Sequence, residues 1–284
     1  MKILYITKLK ELHFKVFLDI AKKHDIELHL ISTRVVYENY EEIKFHKIPL
    51  FLKIMKKAVK ILFRYDLDIY ELLAKKVINK VKPDIIHAIG ADYWGKIANE
   101  SNKDKIPFIV TCQGSDIFRY PMQDKKVFNI VQKVLFSADK VHTLSKEGTV
   151  DHLNNKFNVL PNKIFALNWG LDLNFIDLII KQVDEKKIRN KYNIKSTDII
   201  IFAPRGLRDV FYPIFLLIDV ADKLKKENIN FKIIFSLWGG LENAKKRFLS
   251  KLRKFNLQDK FEIIDEFIEH DKVLSIYKIS DITI

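Results

Sequence analysis

The chain has 284 residues, 48% of them hydrophobic, and carries 50 basic against 36 acidic side chains for a formal charge of +14. That length suffices for two domains with proper cores, while no low-complexity tract argues for disorder and no apolar run approaches a membrane span. The single cysteine, Cys112, excludes an intrachain disulfide framework and a cysteine-based zinc site, and the positive balance invites an anionic partner: nucleic acid, anionic lipid or a phosphorylated small molecule.

The N-terminus enters a strand directly with no signal peptide ahead of it, which gives the expectation of a cytoplasmic chain. Lys2 to Thr7 is that strand, and Lys8-Leu9-Lys10 leads into a helix with Leu12, Val16, Phe17, Ile20 and Ala21 on one face. Ile26 to Ile31 and Ile43 to Ile48 read as the next strands. From Phe51 to Arg64 the spacing is unusually regular. Phe51, Leu52, Ile54, Met55, Ala58, Val59 and Leu62 fill one side of a helix, with Lys53, Lys56, Lys57, Lys60 and Arg64 opposite. Two readings fit: a helix packed on the sheet with its lysines in water, or a basic interfacial helix docking on anionic lipid. A helix from about Asp68 to Val81 follows, and Pro83 stops it.

Asp84 to Ala88 is a buried strand that ends near His87 and Gly90. His87 reads either as a satisfied core histidine or as a ligand contact at a strand end. Helix Tyr93 to Ser101 and strand Ile106 to Thr111 lead to the loop Cys112-Gln113-Gly114-Ser115-Asp116. There, backbone amides and a hydroxyl can meet a polar ligand, or a capped turn can simply join strand to helix. A helix (about Asp124 to Ser137), strand Lys140 to Thr143, a helix capped by Ser145 and strand Lys163 to Leu167 complete the first half. Gly170 and Asp172 read as a turn and linker cap, and the charged stretch Gln182 to Lys195 as a linker or the entry to a second domain.

Ile199 to Ala203 is apolar without alternation, as in a parallel strand buried on both faces. Pro204 ends it, and Arg205, Gly206 and Arg208 precede a helix that starts near Pro213. A planar guanidinium at the carboxyl end of a buried strand, where open α/β sheets bind ligands, suits a phosphate. The competing reading is a surface arginine in a βα loop. Strand Phe231 to Ser236 is followed by Gly239-Gly240, which could let backbone approach a ligand or could be a simple turn. Helix Glu242 to Phe255, strand Phe261 to Ile264 and helix Asp271 to Ile279 come next. This alternation means two doubly wound α/β domains in tandem, residues 1–175 and 176–284. Asp281 to Ile284 opens one more strand and ends, so the second domain reads as incomplete and the chain as truncated.

Several loops together resemble one family, the GT-B glycosyltransferases of glycosyltransferase family 4. P-D-I-I-H-A-I-G (Pro83 to Gly90) is similar to that family's proline-aspartate strand, and T-C-Q-G-S-D-I (Thr111 to Ile117) to its T-x-H-G-S-D loop. S-A-D-K-V-H-T-L-S (Ser137 to Ser145) resembles its A-D-x-V strand, and Asn162 to Phe175 the N-G-V-D segment before the interdomain linker. Ile201 to Leu207 stands where G-R-L begins the second domain, and Asp265 to Ile284 matches the segment that carries Y-x-x-A-D.

The resemblance implies two Rossmann-like domains, acceptor-side and donor-side. It also implies hexosyltransferase-type transfer from a nucleotide-sugar donor to a glycan or lipid-linked acceptor, with retention at the anomeric carbon. The donor would lie in the cleft between the domains, with no essential metal and no cofactor. Arg205 matches the arginine that holds the pyrophosphate, with Arg208 as the nearest further cation, and Gln113 stands at the histidine position beside the sugar. His87, Gly114, Ser115, Asp116, Gly206, Gly239 and Gly240 would line the cleft.

This sequence departs from the family pattern. An amide at Gln113 can hydrogen-bond a hydroxyl but cannot exchange a proton near neutral pH. The lysine expected after the arginine is absent, and the chain stops before the family's paired-glutamate segment. The alternative is therefore a non-catalytic homologue that binds nucleotide or an anionic surface and needs another segment or chain for activity. A peripheral role at the membrane in cell-envelope glycan synthesis would suit the basic helix. No nucleic-acid-binding motif supports that partner, and no G-x-G-x-x-G follows the first strand as a dehydrogenase would need.

Overall fold

The computed structural model describes the chain except residues 9–16, 19, 34–40, 53, 55–67, 169, 171–172, 206–213, 238–241 and 267. It divides into two compact units, Met1–Leu171 and Asp172–Ile284. The first is built on seven parallel strands: β1 (Lys2–Thr7), β2 (Glu27–Ser32), β3 (Ile43–Phe45), β4 (Ile85–Ile89), β5 (Phe108–Cys112), β6 (Lys140–Thr143) and β7 (Ile164–Ala166). Their order is β3-β2-β1-β4-β5-β6-β7. The second unit holds β8 (Ile199–Ala203), β9 (Phe231–Ser236), β10 (Phe261–Ile264) and β11 (Ile282–Thr283) in the order β10-β9-β8-β11, again parallel. Both sheets reverse direction of growth at their first strand, between β1 and β4 and between β8 and β11. In doubly wound sheets that switch opens a crevice at the carboxyl ends of the strands.

The apolar runs read from the sequence are strands because both faces are covered. Leu4, Ile6, Ile86, Ala88, Phe108, Val110 and Val141 point to one side, against Leu73, Val77, Trp94, Ile97, Val131, Val134 and Leu153 from the helices Ile69–Val81, Tyr93–Ser101, Lys125–Ser137 and Thr149–Phe157. Tyr5, Leu28, Leu30, Ile43 and Ile89 point to the other, against Leu18 and Ala21. Gly95 shows how close the helices lie. A Cβ there would sit 2.7 Å from Val134 Cγ1 and 3.0 Å from the Gly90 carbonyl, so an alanine would have to push one of them aside.

Three aspartates placed just before strands fix the register. Asp84 donates its N–H to the Lys2 carbonyl (2.9 Å) and accepts the Lys2 N–H on Oδ2 (2.7 Å). Asp139 makes the same pair of bonds with Phe108 (2.9 and 2.8 Å), and Asp281 with Ile200 (2.9 and 2.7 Å). Each clamp pins a strand to its neighbour at the entry point, where a slip of one residue would turn every side chain to the wrong face.

Some expectations are corrected. Ser145 does not cap the next helix: its hydroxyl bonds the Glu147 carbonyl, and the helix starts at Thr149 behind Gly148, whose φ is +70°. Ile20 is 49% exposed, and Leu18 takes the inward place beside Ala21. The strand expected over 43–48 is the shorter β3, and residues 173–181 form a helix, Leu173–Lys181, that the pattern does not single out. Leu12 and Val16 of the first helix and Pro213 before the helix Phe215–Lys226 lie outside the described residues.

Candidate functional site

In the first unit the carboxyl ends of β4 and β5 are tied into one structure. Both strands turn on a glycine in the left-handed region, Gly90 at φ +105° and Gly114 at +109°, where a side chain would strain the backbone. The Gly90 N–H reaches back to the Thr111 carbonyl at 2.8 Å. Asp116, 3% exposed, completes the tie. Its Oδ2 accepts the Ala91 N–H from the β4 loop at 2.8 Å, and its Oδ1 the Gln113 N–H at 2.9 Å. Burial pushes the Asp116 carboxyl up to about 6, and the nearby Asp92 carboxylate adds to the shift, while the two amides oppose it. Asp92 is itself raised, chiefly by burial. Asp116 therefore shapes the loop, with each carboxylate oxygen engaged by a backbone amide. The open side belongs to Gly114, where an added Cβ would meet nothing within 4 Å, to the part-exposed Ser115 and to the exposed Gln113.

Beneath this loop a polar relay crosses β4, β5 and β6 and ends at the residue after β7. His87 Nε2 lies 2.7 Å from Thr111 Oγ1, Thr111 Oγ1 lies 3.0 Å from His142 Nδ1, and His142 Nε2 lies 2.8 Å from the Leu167 carbonyl. The last acceptor sets the direction of the whole row. A carbonyl can only accept, so His142 carries its proton on Nε2 and its Nδ1 accepts from Thr111. The Thr111 oxygen then accepts from His87 Nε2–H, which leaves the His87 Nδ1 lone pair as the acceptor end. Burial keeps both rings neutral: it depresses His87 to about 3, helped by His142, and lowers His142 as well. His87 is 9% exposed and packs against Tyr5 with ring centroids 5.0 Å apart.

In the second unit Arg205 is exposed, two residues beyond the end of β8, at the switch between β8 and β11. Gly206, Arg208, Gly239, Gly240 and the basic run Lys53, Lys56, Lys57, Lys60 and Arg64 lie outside the described residues, as does Asp172. The structure thus brings His87, Gln113, Gly114, Ser115 and Asp116 together at one sheet end. It adds Thr111, His142 and Asp92, which the sequence pattern does not single out. Thr111, a polar residue in an otherwise apolar strand, carries a signal; His142, in K-V-H-T, and Asp92, just before a helix, do not. A cavity of about 420 Å³ lined by Asn79, Lys82, Pro83, Asp104 and Ile106 opens at the amino ends of β4 and β5, away from these loops. Among the described residues no group of three or more His, Cys, Asp or Glu could hold a metal, and no helix is long and apolar enough to cross a membrane.

Comparison with known proteins gives three findings. The family described as glycosyl transferase 4-like matches residues 2–145. No curated protein matches the chain in sequence. Solved structures share the fold. A glycosyltransferase from Rickettsia africae superposes with a TM-score of 0.69 at 19% identity, over 99% of this chain and 71% of that one. Anabaena HepE in complex with UDP and glucose gives 0.71 at 14% identity, over 100% and 73%. The UDP-GlcNAc 2-epimerase from Neisseria meningitidis bound to UDP-GlcNAc gives 0.64 at 14% identity, over 100% and 76%.

Proposed function

The chain belongs to the glycosyl transferase 4-like family, and from that premise we propose that it moves a hexosyl group from a nucleotide-sugar donor to a glycan or lipid-linked acceptor, with retention and without an essential metal. The observation that carries the donor half is Arg205 at the carboxyl end of β8, beside the switch of the second sheet. A guanidinium there offers a bidentate fork to a diphosphate and stabilises the charge that builds on it as the glycosidic bond breaks. Arg208, three residues on, is the next cation in sequence. On the first unit, Gln113 offers a neutral amide to a sugar hydroxyl, Gly114 lets backbone approach, and Ser115 adds a hydroxyl. His87 supplies a fixed lone pair behind them.

A second reading is favoured by Gln113: a nucleotide-binding homologue without turnover, since the amide cannot carry a proton. Sugar-nucleotide epimerases share this architecture too, so fold alone does not choose the reaction.

Titration calorimetry with UDP, GDP and ADP tests the donor site. UDP is the first choice, because two of the neighbours were solved with UDP-containing ligands. Arg205→Ala is expected to weaken the preferred nucleotide by about ten- to a hundredfold. Binding unchanged in that variant, or none to any nucleotide, would refute the assignment. Release of nucleotide from a bound UDP-sugar, with the product analysed for transfer against epimerisation, then separates the readings.

A further inference from the structure

The helical residues 50–52 and 54, which follow β3 and Pro49, turn two different sides outward and inward. Leu52 is 5% exposed and joins the core that holds Leu73 and Val77. Leu50, Phe51 and Ile54 are 72%, 54% and 61% exposed. At i, i+1 and i+4 they fall within about 100° of arc on one side of the turn and make an apolar ridge there. The sequence pattern places Phe51 and Ile54 with Leu52 on one side of a helix; the structure separates them. One exposed leucine needs no explanation, but three large apolar side chains in one turn are a surface to be covered.

Cations border this ridge. The Lys76 ammonium lies 5.4 Å from the centre of the Phe51 ring, Lys80 follows one turn later on the same helix, and Lys47 precedes the ridge; all three are exposed. Glu71, the acid on that helix, is engaged by Lys75 at 2.6 Å. By sequence, Lys53, Lys56, Lys57, Lys60 and Arg64 come next, outside the described residues. Protein interfaces are depleted in lysine around their apolar centres. An anionic bilayer favours the opposite pattern: apolar side chains enter the acyl boundary while lysine stems lie along it with their ammonium groups at the headgroups.

We propose that the Leu50–Phe51–Ile54 ridge docks the protein on an anionic lipid surface. The proposal is independent of the sugar-transfer reading, because binding is measured without turnover. Vesicles of phosphatidylcholine alone, and of phosphatidylcholine with phosphatidylglycerol, are floated with the full chain. Binding is expected only to the anionic vesicles and is expected to fall with salt. The triple variant Leu50→Ser, Phe51→Ser, Ile54→Ser should bind at least about tenfold more weakly with an unchanged melting temperature. Lys76→Glu with Lys80→Glu should weaken binding in the same direction. Equal binding to neutral vesicles, no binding to either, or full binding by the triple variant would overturn the proposal. So would a change of the triple variant from oligomer to monomer in sedimentation, which would make the ridge a contact between copies. Tight salt-sensitive binding to random DNA that the triple variant loses would assign it to nucleic acid instead.

Discussion

Thr111→Val is expected to lower stability by about 2–4 kcal/mol although the two side chains have nearly the same shape. Valine removes the only hydroxyl that both histidines use, so His87 Nε2–H and His142 Nδ1 are each left without a partner in a buried site. An unmatched buried polar group costs about 1–3 kcal/mol, and the two losses fall on one substitution. Thr111→Ser keeps the hydroxyl and should cost much less. Urea unfolding of the three proteins reads the difference. Nitrogen-15 spectra of the imidazoles add a check that packing alone would not move: in the native protein both rings should carry the proton on Nε2. A valine variant as stable as the parent, or an Nδ1–H tautomer at His142, would break the directional relay.

Asp116→Ala should cost about 2–4 kcal/mol, because two loops lose the acceptor that joins them and each bond goes to a charged group worth about 1.5–3 kcal/mol, less the relief of desolvation. Its pH dependence is diagnostic. The Asp116 carboxyl is raised from 3.8 to about 6 in the folded chain. A raised carboxyl favours folding while it holds its proton, so this contribution is complete below about pH 4 and is lost as pH climbs through about 6. Across that whole range the change in stability amounts to about 3 kcal/mol. The gap between parent and variant should therefore be wider at pH 4.5 than at pH 7.5. Denaturation series across that window decide it: a gap that stays constant would mean the carboxyl is not held as described.

The strands are the most legible part of this protein. Ile199–Ala203 and Phe231–Ser236 read from the sequence with the bounds they have, because an unbroken apolar run marks a strand covered on both faces. Starts shift where a clamp residue leads in, as at Asp84 and Asp281, since an aspartate outside the ladder still belongs to the local pattern. The helix Leu173–Lys181 escapes the pattern because its leucines and isoleucines carry little polar punctuation and none of them is buried. Of the site, the glycine turns and Asp116 can be seen as a loop at a strand end. The relay cannot, because Thr111 and His142 stand 31 positions apart and meet only once β5 and β6 are in register. The apolar ridge is hidden for another reason. Helical spacing shows which residues share a side, but not whether protein covers that side. Even the motifs that resemble the family turn out to do two jobs: P-D, A-D and S-D set strand register, while Q-G-S-D frames the loop.

The aspartate clamps also order events in time. Asp139 reaches a partner 31 positions away, whereas Asp84 and Asp281 reach across 82 and 81. Closing the longer loops costs about 0.9 kcal/mol more chain entropy. By the same rule β2 with β3, β4 with β5 and β6 with β7 are cheap to close, being 15, 22 and 23 positions apart, and β1 with β4 and β8 with β11 are the costliest pairs. Those two pairs sit at the switch of each sheet, so a chain that has not closed them holds strand pairs to either side but no crevice.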